Sequence, residues 1–345
     1  MTYLSGALTD TTPTISVIVP AFEAADFLPQ CLTALHAQSA AIERFEIIVV
    51  DDGSNESIAE FIPESVTLLR HPQNRGAAAA RNTGAATARG DILLFVDADL
   101  VAHIDLITAT IELFEQESLV AATGCYGAKP ANEGWFAGYK ALWTWHCWQR
   151  SAGSSKRSSH LQGAMAAISR EVFEQLGGFD ERYRGGNVED YELSQRLRKA
   201  GHHIAFDQRI GGRHHFPGFA TVARNYWNRT RMWMRLKATG RSFSSGQAGA
   251  SSAAIALLAL CTLSCLLCSP IQPLLLVPSA LSALFFLLLL SRFLLLALRS
   301  NGLLFAVYCS LCHFALGVVV GAAALSSPLG SGSRDLQPTT HQESA

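Results

Sequence analysis

Two carboxylates, Asp97 and Asp99, flank Ala98 where an apolar run gives way to polar sequence. Hard divalent cations such as Mg²⁺ or Mn²⁺ take few protein carboxylates and complete their shells with water and phosphate oxygens. The pair therefore suits a metal-bound diphosphate, whose charge such an ion would neutralise as a nucleoside diphosphate departs. Asp51-Asp52-Gly53-Ser54 follows an earlier apolar run in the same way. A carboxylate there can accept a hydrogen bond from a nucleobase imide or a ribose hydroxyl, and Gly53 permits a tight turn near a ligand. The same residues suit an Asx turn that caps the following helix, and both uses can coexist. Further on, Arg75-Gly76, the run Ala77 to Ala80 and Arg81-Asn82 open a helix with little bulk. Arg81 can meet a phosphate or a base edge with its planar fork. An Ala-rich packing helix with solvated arginines is the alternative.

Positioning these groups calls for strands that end at them. Ile15 to Val19 ends at Pro20, Ile47 to Val50 at Asp51, and Ile92 to Val96 at Asp97. Between the runs lie helical patterns, Phe27 to Gln38 with Cys31, Leu32 and Leu35 on one stripe, and Gly76 to Arg89. Alternating strands and helices predict a parallel α/β sheet, and such sheets bind ligands at the carboxyl ends of their strands. Three polar strand ends are therefore expected to converge on one crevice.

Taken in order, these segments resemble the family 2 glycosyltransferases of GT-A fold. The resemblance rests on Ser16-Val17-Ile18-Val19-Pro20-Ala21-Phe22, Val50-Asp51-Asp52-Gly53-Ser54, Asn74-Arg75-Gly76 through Arg81-Asn82, and Leu94-Phe95-Val96-Asp97-Ala98-Asp99. It continues through Gly163 to Arg170, Gly177-Gly178-Phe179-Asp180-Glu181 and Glu189-Asp190-Tyr191-Glu192-Leu193, covering about residues 14 to 215. It implies a Rossmann-like α/β domain over residues 14–218, with a mostly parallel central sheet and flanking helices. It further implies that Pro20, Phe22 and Glu23 border a nucleotide-sugar site, Asp51 and Asp52 contact base or ribose, and Arg75 and Arg81 assist the nucleotide. Asp97 and Ala98 would line the diphosphate, and Asp99, helped by Asp97, would hold Mn²⁺ or Mg²⁺. His214 or His215 would approach the diphosphate or the metal. In Glu189-Asp190, Asp190 looks like the general base, since an inverting transfer needs a carboxylate opposite the leaving group to take the acceptor proton. Read without the resemblance, the two acids merely favour the first turn of a helix from Tyr191 to Ala200. One departure stands out: family members that polymerise long chains carry Gln-X-X-Arg-Trp, whereas this chain reads Asn228-Arg229-Thr230-Arg231-Met232-Trp233. That favours transfer of one sugar or a few.

The composition changes sharply after residue 241. No Asp, Glu, Lys or Arg occurs from Ser242 to Ser291, and after Arg292 and Arg299 a second uncharged stretch runs from Ser300 to Ser333. About 20 apolar residues cross a bilayer core, so three spans are expected at 250–268, 274–291 and 303–325. Ser269, Pro270 and Pro273 mark the first break, and Arg292, Arg299 and Asn301 the second. Arg235, Lys237 and Arg241 precede the first span and Arg292 and Arg299 follow the second, which places the catalytic domain on the cytoplasmic side of an inner membrane. The N-terminal residues 1–13 and the tail 326–345 read as polar extensions, with no signal peptide at the N-terminus. The eight cysteines show neither metal-ligand spacing nor a disulfide framework.

The net charge of −1 hides an asymmetry, because Arg209 to Arg241 holds eight basic residues and no acidic one. A helix over 219–241 with Phe219, Val222, Tyr226, Trp233 and Leu236 near one stripe suits a lipid headgroup layer and would also attract a lipid phosphate. Nucleic acid is not expected, since the basic run abuts the spans and no nucleic-acid module accompanies it. Trp135, Phe136, Tyr139, Trp143, Trp145 and Trp148 could stack on a sugar, sit at a membrane interface or pack as a core helix. The stretch Ser151 to Ser159 reads as a loop over substrate, and Arg241 to Ser252 as a linker. Together these features predict an inverting, non-processive glycosyltransferase using a nucleoside-diphosphate sugar and a lipid-linked or saccharide acceptor, in cell-envelope polysaccharide or glycolipid synthesis. A polyprenyl-phosphate glycosyl synthase and a non-catalytic nucleotide-binding membrane scaffold are the alternatives.

Overall fold

A computed structural model describes residues 13–116, 119–152, 157–183, 188–238 and 250–327. The N-terminal extension, most of the proposed linker, most of the polar tail and the centre of the loop expected over substrate lie outside the described residues. Two compact units interleave along the chain. The first comprises residues 1–124, 161–189 and 196–211, and the second residues 125–160, 190–195 and 212–345.

In the first unit β1 (Ile15–Ala21) lies between β2 (Phe45–Asp51) and β4 (Ile92–Val96), parallel to both. Its apolar run is continuous because a central strand covered on both faces has no solvent side on which to alternate. β3 (Thr67–Arg70) extends the parallel part beyond β2. Past β4 the sheet changes character. β8 (Met165–Ser169) is antiparallel to β4, and β6 (Ala121–Tyr126) is antiparallel to β8. The full order is β3-β2-β1-β4-β8-β6-β9-β5, with β5 at Leu100–Ala102 and β9 at Ile204–His214. The sheet is thus mixed, with its parallel half carrying the strand ends that the sequence singled out.

Helix α1 (Leu28–His36) follows β1, α2 (Ala77–Thr87) follows β3, α3 (Leu106–Gln116) follows β5, and α5 (Arg170–Gln175) follows β8. The small residues of α2 serve close packing. Ala78, Ala79 and Ala80 are buried, and a Cβ on Gly84 would come within 2.4 Å of Ile18 Cγ2. Glu189–Lys199 forms α6, two residues longer at its start than the sequence pattern suggested.

The second unit contains α4 (Trp135–Ala152), the two-residue strand β7 (Arg157–Ser158), α7 (Phe219–Ala238), α8 (Ala250–Cys268) and α9 (Leu276–Leu325). A straight 50-residue helix would be about 75 Å long. Instead, the rings of Phe286 and Phe314 lie 5.6 Å apart, and Phe293 and His313 also meet across the chain. The reversal falls at Gly302, whose φ of 84° and ψ of −179° no helix accommodates. Hence α9 is two antiparallel arms, 276–301 and 303–325. Arg292 and Arg299, expected to end the second apolar span, lie inside the first arm. Charged side chains do not break a helix, whereas a glycine with positive φ does. α8 packs against both arms: Thr262 bonds Ser282 at 2.8 Å, and a Cβ on Gly317 would approach that of Ala259 to 3.0 Å.

The aromatic helix α4 docks on this hairpin. Trp135 meets Phe305 and Tyr308, Trp143 meets Phe293 and His313, and the Tyr139 hydroxyl bonds His313 Nδ1 at 2.8 Å. Most of its rings thus pack as core. Buried Lys140 donates to the Tyr226 hydroxyl at 2.6 Å, joining α4 to α7. By length and composition one helix among the described residues, Pro273–Leu325 with mean hydropathy 2.4, is long and apolar enough to cross a membrane; Ser252–Cys268 is a shorter apolar helix.

Candidate active site

The carboxyl ends of β1 and β2 are tied together. Asp52 N donates to Ala21 O, Glu23 N donates to Ser54 Oγ, and Glu23 Oε1 accepts from both the backbone and the side-chain amide of Asn55. Glu23 holds a φ of 48°, an uncommon conformation for a non-glycine residue that these three bonds maintain. Pro20, the penultimate residue of β1, is in register with Val50, and just past the strand end Phe22 leaves 47% of its surface exposed.

Asp51 and Asp52 have different tasks. Asp52 is buried; its Oδ1 accepts from His71 Nδ1 at 2.6 Å and from Arg75 N at 3.0 Å, and its Oδ2 accepts from Gly76 N at 2.7 Å. It therefore fastens the loop that starts α2, satisfying amides that a helix start leaves without partners. Asp51, only 1% exposed, accepts from Ser54 N through Oδ1, while Oδ2 has no hydrogen-bond donor and Arg70 Nε lies 3.4 Å away. Of the two, Asp51 keeps an acceptor atom to offer.

At the end of β4, Asp97 N donates to Ala164 O, Ala98 is buried and Asp99 is half-buried. Burial, together with the negative charges of Asp99 and Asp97, pushes the Cys31 thiol well above its ordinary range. The Asp97 backbone carbonyl lies 3.7 Å from Cys31 Sγ of α1, and the Asp97 and Asp99 carboxylates follow β4 at the same strand end. They supply hard oxygen donors, the kind and number that Mg²⁺ or Mn²⁺ accept alongside a diphosphate.

The sequence pointed Arg81 at the nucleotide, but the structure gives its guanidinium two carboxylates. Nη2 bonds Asp97 Oδ1 at 2.8 Å and Nη1 bonds Glu189 Oε1 at 3.0 Å. Glu189 is likewise buried, and its Oε2 accepts from Val188 N, so it serves in this ion-paired cluster and not as an exposed base. Arg75 is more exposed and pairs with Glu181 at 3.0 Å. Asn82, which no sequence signal marked for a role, bonds Phe179 through both amide atoms and Glu181 through Nδ2.

Asp190 belongs to the second unit, where its Oδ1 accepts from Tyr191 N at 2.8 Å. In that unit Tyr191 stacks on His160 at 4.6 Å and meets Trp233 edge-on at 5.4 Å. His214 packs between Tyr126 and Phe216, with ring centroids 4.4 and 4.6 Å away, and His215 is half-buried. Among the described residues no group of three or more His, Cys, Asp or Glu side chains is poised for a metal.

Known proteins share this sequence pattern and fold. Residues 16–177 match the family described as glycosyl transferase family 2, and residues 145–217 match one described as the N-terminal domain of galactosyltransferase. Glycosyltransferase AglE of Haloferax volcanii is 26% identical over 213 residues, covering 60% of this chain and 68% of AglE. An uncharacterized glycosyltransferase of Haemophilus influenzae is 30% identical over 191 residues, covering 53% of this chain and 61% of its own length. The pre-mycofactocin glycosyltransferase of Mycobacterium tuberculosis is 27% identical over 231 residues, and the matched part spans 45% of that protein. Among solved structures, the mannosyltransferase PcManGT of Pyrobaculum calidifontis, in complex with GDP-Man and Mn²⁺, superposes with a TM-score of 0.52 at 20% identity. The superposition covers 91% of this chain and 87% of that one and establishes a shared GT-A-like fold. Residues 16–177 thus match glycosyl transferase family 2, and the chain has a GT-A-like fold.

Proposed function

We propose that the protein is an inverting, metal-dependent glycosyltransferase that moves a sugar from a nucleoside-diphosphate sugar to a lipid-linked or membrane-proximal acceptor. The observation that carries this is the set of carboxylates at the ends of β2 and β4, in a family 2 domain. Asp51 Oδ2 is a buried acceptor suited to a base imide or ribose hydroxyl, and the exposed Phe22 ring offers a stacking face. Asp97 and Asp99 would hold Mn²⁺ or Mg²⁺ against the donor diphosphate. When bound, the ion supplies charge neutralisation for the departing diphosphate. A GDP-Man and Mn²⁺ complex in a structural neighbour supports the donor class. Asp190 takes the proton of the acceptor hydroxyl as the sugar carbon–oxygen bond forms on the face opposite the leaving group, which inverts the anomeric centre.

The C-terminal helices support a membrane location. Leu267, Ile271, Leu303, Leu304 and Leu311 all expose most of their surface, a pattern water penalises and lipid does not. We read α8 and the two arms of α9 as three spans in an inner membrane, each long enough for the bilayer core. Arg235, Lys237, Arg241, Arg292 and Arg299 then mark the cytoplasmic side, with the catalytic domain.

The test is turnover by the full-length chain in nanodiscs across UDP-, GDP- and TDP-sugars, with Mn²⁺, with Mg²⁺ and with chelator. At least one donor is expected to be consumed only when metal is present, and Asp99→Asn should lose that activity. Metal-independent turnover, or full activity in Asp99→Asn, would contradict the proposal. The basic helix α7 next to apolar helices favours a second reading, in which a polyprenyl phosphate is the acceptor. Its phosphate oxygen is already ionised, so Asp190→Asn would then leave the rate nearly unchanged, whereas a hydroxyl acceptor requires the base.

A further inference from the structure

Within the family 2 domain, Arg81 is buried among protein groups that hold its guanidinium. It is 4% exposed, Phe179 lies under its guanidinium with Cζ 5.5 Å from the ring centroid, and Gly163 faces it from the other strand end. A Cβ at Gly163 would lie 3.2 Å from Cζ and Nη2, so a side chain there would crowd the guanidinium. Its two terminal nitrogens reach in different directions, one to Asp97 at the end of β4 and one to Glu189, the first residue of α6. No lysine can span both, because an ammonium lacks the planar fork.

The next residue continues the pattern. Asn82 Oδ1 accepts from Phe179 N, and its Nδ2 donates to Phe179 O and Glu181 Oε1. Gly178, with φ of 70°, is required there, since a Cβ would come within 2.7 Å of Asn82 Oδ1. From the far end of α6, Arg196 donates to the carbonyls of Leu176 and Gly178. Both ends of α6 are therefore held by arginine hydrogen bonds to fixed partners.

We infer that Arg81 is a positioning residue: by bridging Asp97 and Glu189 it fixes the first turn of α6, and with it Asp190, to the strand end that would hold the metal. The inference rests on the reading of Asp190 as the base. A base needs its proton acceptor within a few tenths of an ångström of its working place, and a misplacement near 1 Å can cost on the order of 100-fold in rate. Glu189 in this account carries no proton; it is the handle by which Arg81 holds the helix.

Full-length protein in nanodiscs provides the test, with Glu189→Ala, Glu189→Gln, Arg81→Lys and Asp190→Asn compared in parallel. Two readouts are taken: turnover over the panel of UDP-, GDP- and TDP-sugars, and hydrogen exchange of the amides of the first turn of α6. Glu189→Ala and Arg81→Lys should exchange those amides about tenfold faster or more. They should lower kcat about tenfold or more while the donor KM stays within about twofold. Glu189→Gln keeps an oxygen opposite Nη1 but turns its amide donor toward Val188 N, so its kcat should fall between those of Glu189→Ala and wild type. The inference is overturned if Glu189→Ala leaves both exchange and kcat unchanged, if donor KM changes in place of kcat, or if Glu189→Gln fails as badly as Glu189→Ala. Should Glu189→Ala not fold, Arg81→Lys, which keeps the buried positive charge, carries the same comparison. Full turnover by Asp190→Asn would instead refute the base assignment, and the exchange readout would still report on the clamp.

Discussion

Asp52→Asn is the substitution that most sharply separates a scaffold carboxylate from a ligand-facing one. The side chain keeps its shape but exchanges one oxygen for an NH₂ group. In the native arrangement one oxygen accepts from His71 Nδ1 and Arg75 N, and the other from Gly76 N, so neither amide orientation avoids placing a donor against a donor. Leaving one buried donor unsatisfied costs about 1–3 kcal/mol, and hydrogen bonds to a charged acceptor are stronger than neutral ones, so the expected loss is about 2–4 kcal/mol. At about 2–4 °C per kcal/mol for a unit of this size, melting of the first unit should fall by about 5–15 °C. All six tryptophans lie outside that unit, so their fluorescence would miss the event and far-UV circular dichroism is the appropriate probe. Asp51→Asn, which disturbs one backbone bond and the half-exposed Arg70 pair, serves as the comparison and should weaken nucleotide binding with a smaller loss of stability. A melting temperature for Asp52→Asn within about 1 °C of wild type, with nucleotide affinity lost, would refute the scaffold role.

Two further outcomes follow from the geometry of the first unit. Gly124→Ala should prevent accumulation of folded protein, because its Cβ would sit 1.6 Å from Ile210 O, whereas Gly218→Ala meets nothing within 4 Å and should be neutral; equal soluble yields would contradict the close approach of the two strands. Glu46 is held below its ordinary value of 4.5, since burial, which raises it, is outweighed by the Ser16 hydroxyl and by the Arg89 amide and guanidinium. A depressed carboxylate contributes stability above its ordinary value and loses it as pH falls through the depressed one. Thermal stability should therefore drop on acidification below about pH 4.5, and Glu46→Gln should flatten that drop; an unchanged pH profile in the variant would remove Glu46 as a contributor.

How far the sequence alone reached depended on burial. β1, β2 and β4 are covered on both faces, so their apolar runs are continuous and β4 begins and ends where the pattern places it. β3 is half-exposed, and β6 and β8 are short and rich in small residues, with only Tyr126 in β6 and Met165 and Ile168 in β8 as large side chains, so no hydrophobic alternation announced them. The antiparallel half of the sheet went unread for that reason. The acidic strand ends were legible because carboxylates after buried strands are conspicuous. The division of labour between Asp51 and Asp52 was not, since it depends on amides 23 and 24 residues away. Arg81 illustrates the same limit, with partners 16 and 108 residues distant that no local pattern connects. In the C-terminal region a break was expected across Arg292, Arg299 and Asn301; the helix runs through both arginines and reverses at Gly302, beside Asn301, because backbone conformation, not charge, turns the chain.

The most direct test of a metal-bridged diphosphate at the end of β4 is a calorimetric titration of UDP and GDP into the full-length protein, with and without Mn²⁺, for wild type and Asp99→Asn. Mn²⁺ should tighten binding of at least one nucleotide by about tenfold or more in wild type, about 1.4 kcal/mol, and by much less in Asp99→Asn. Equal affinity with and without Mn²⁺, or the same enhancement in both proteins, would contradict it.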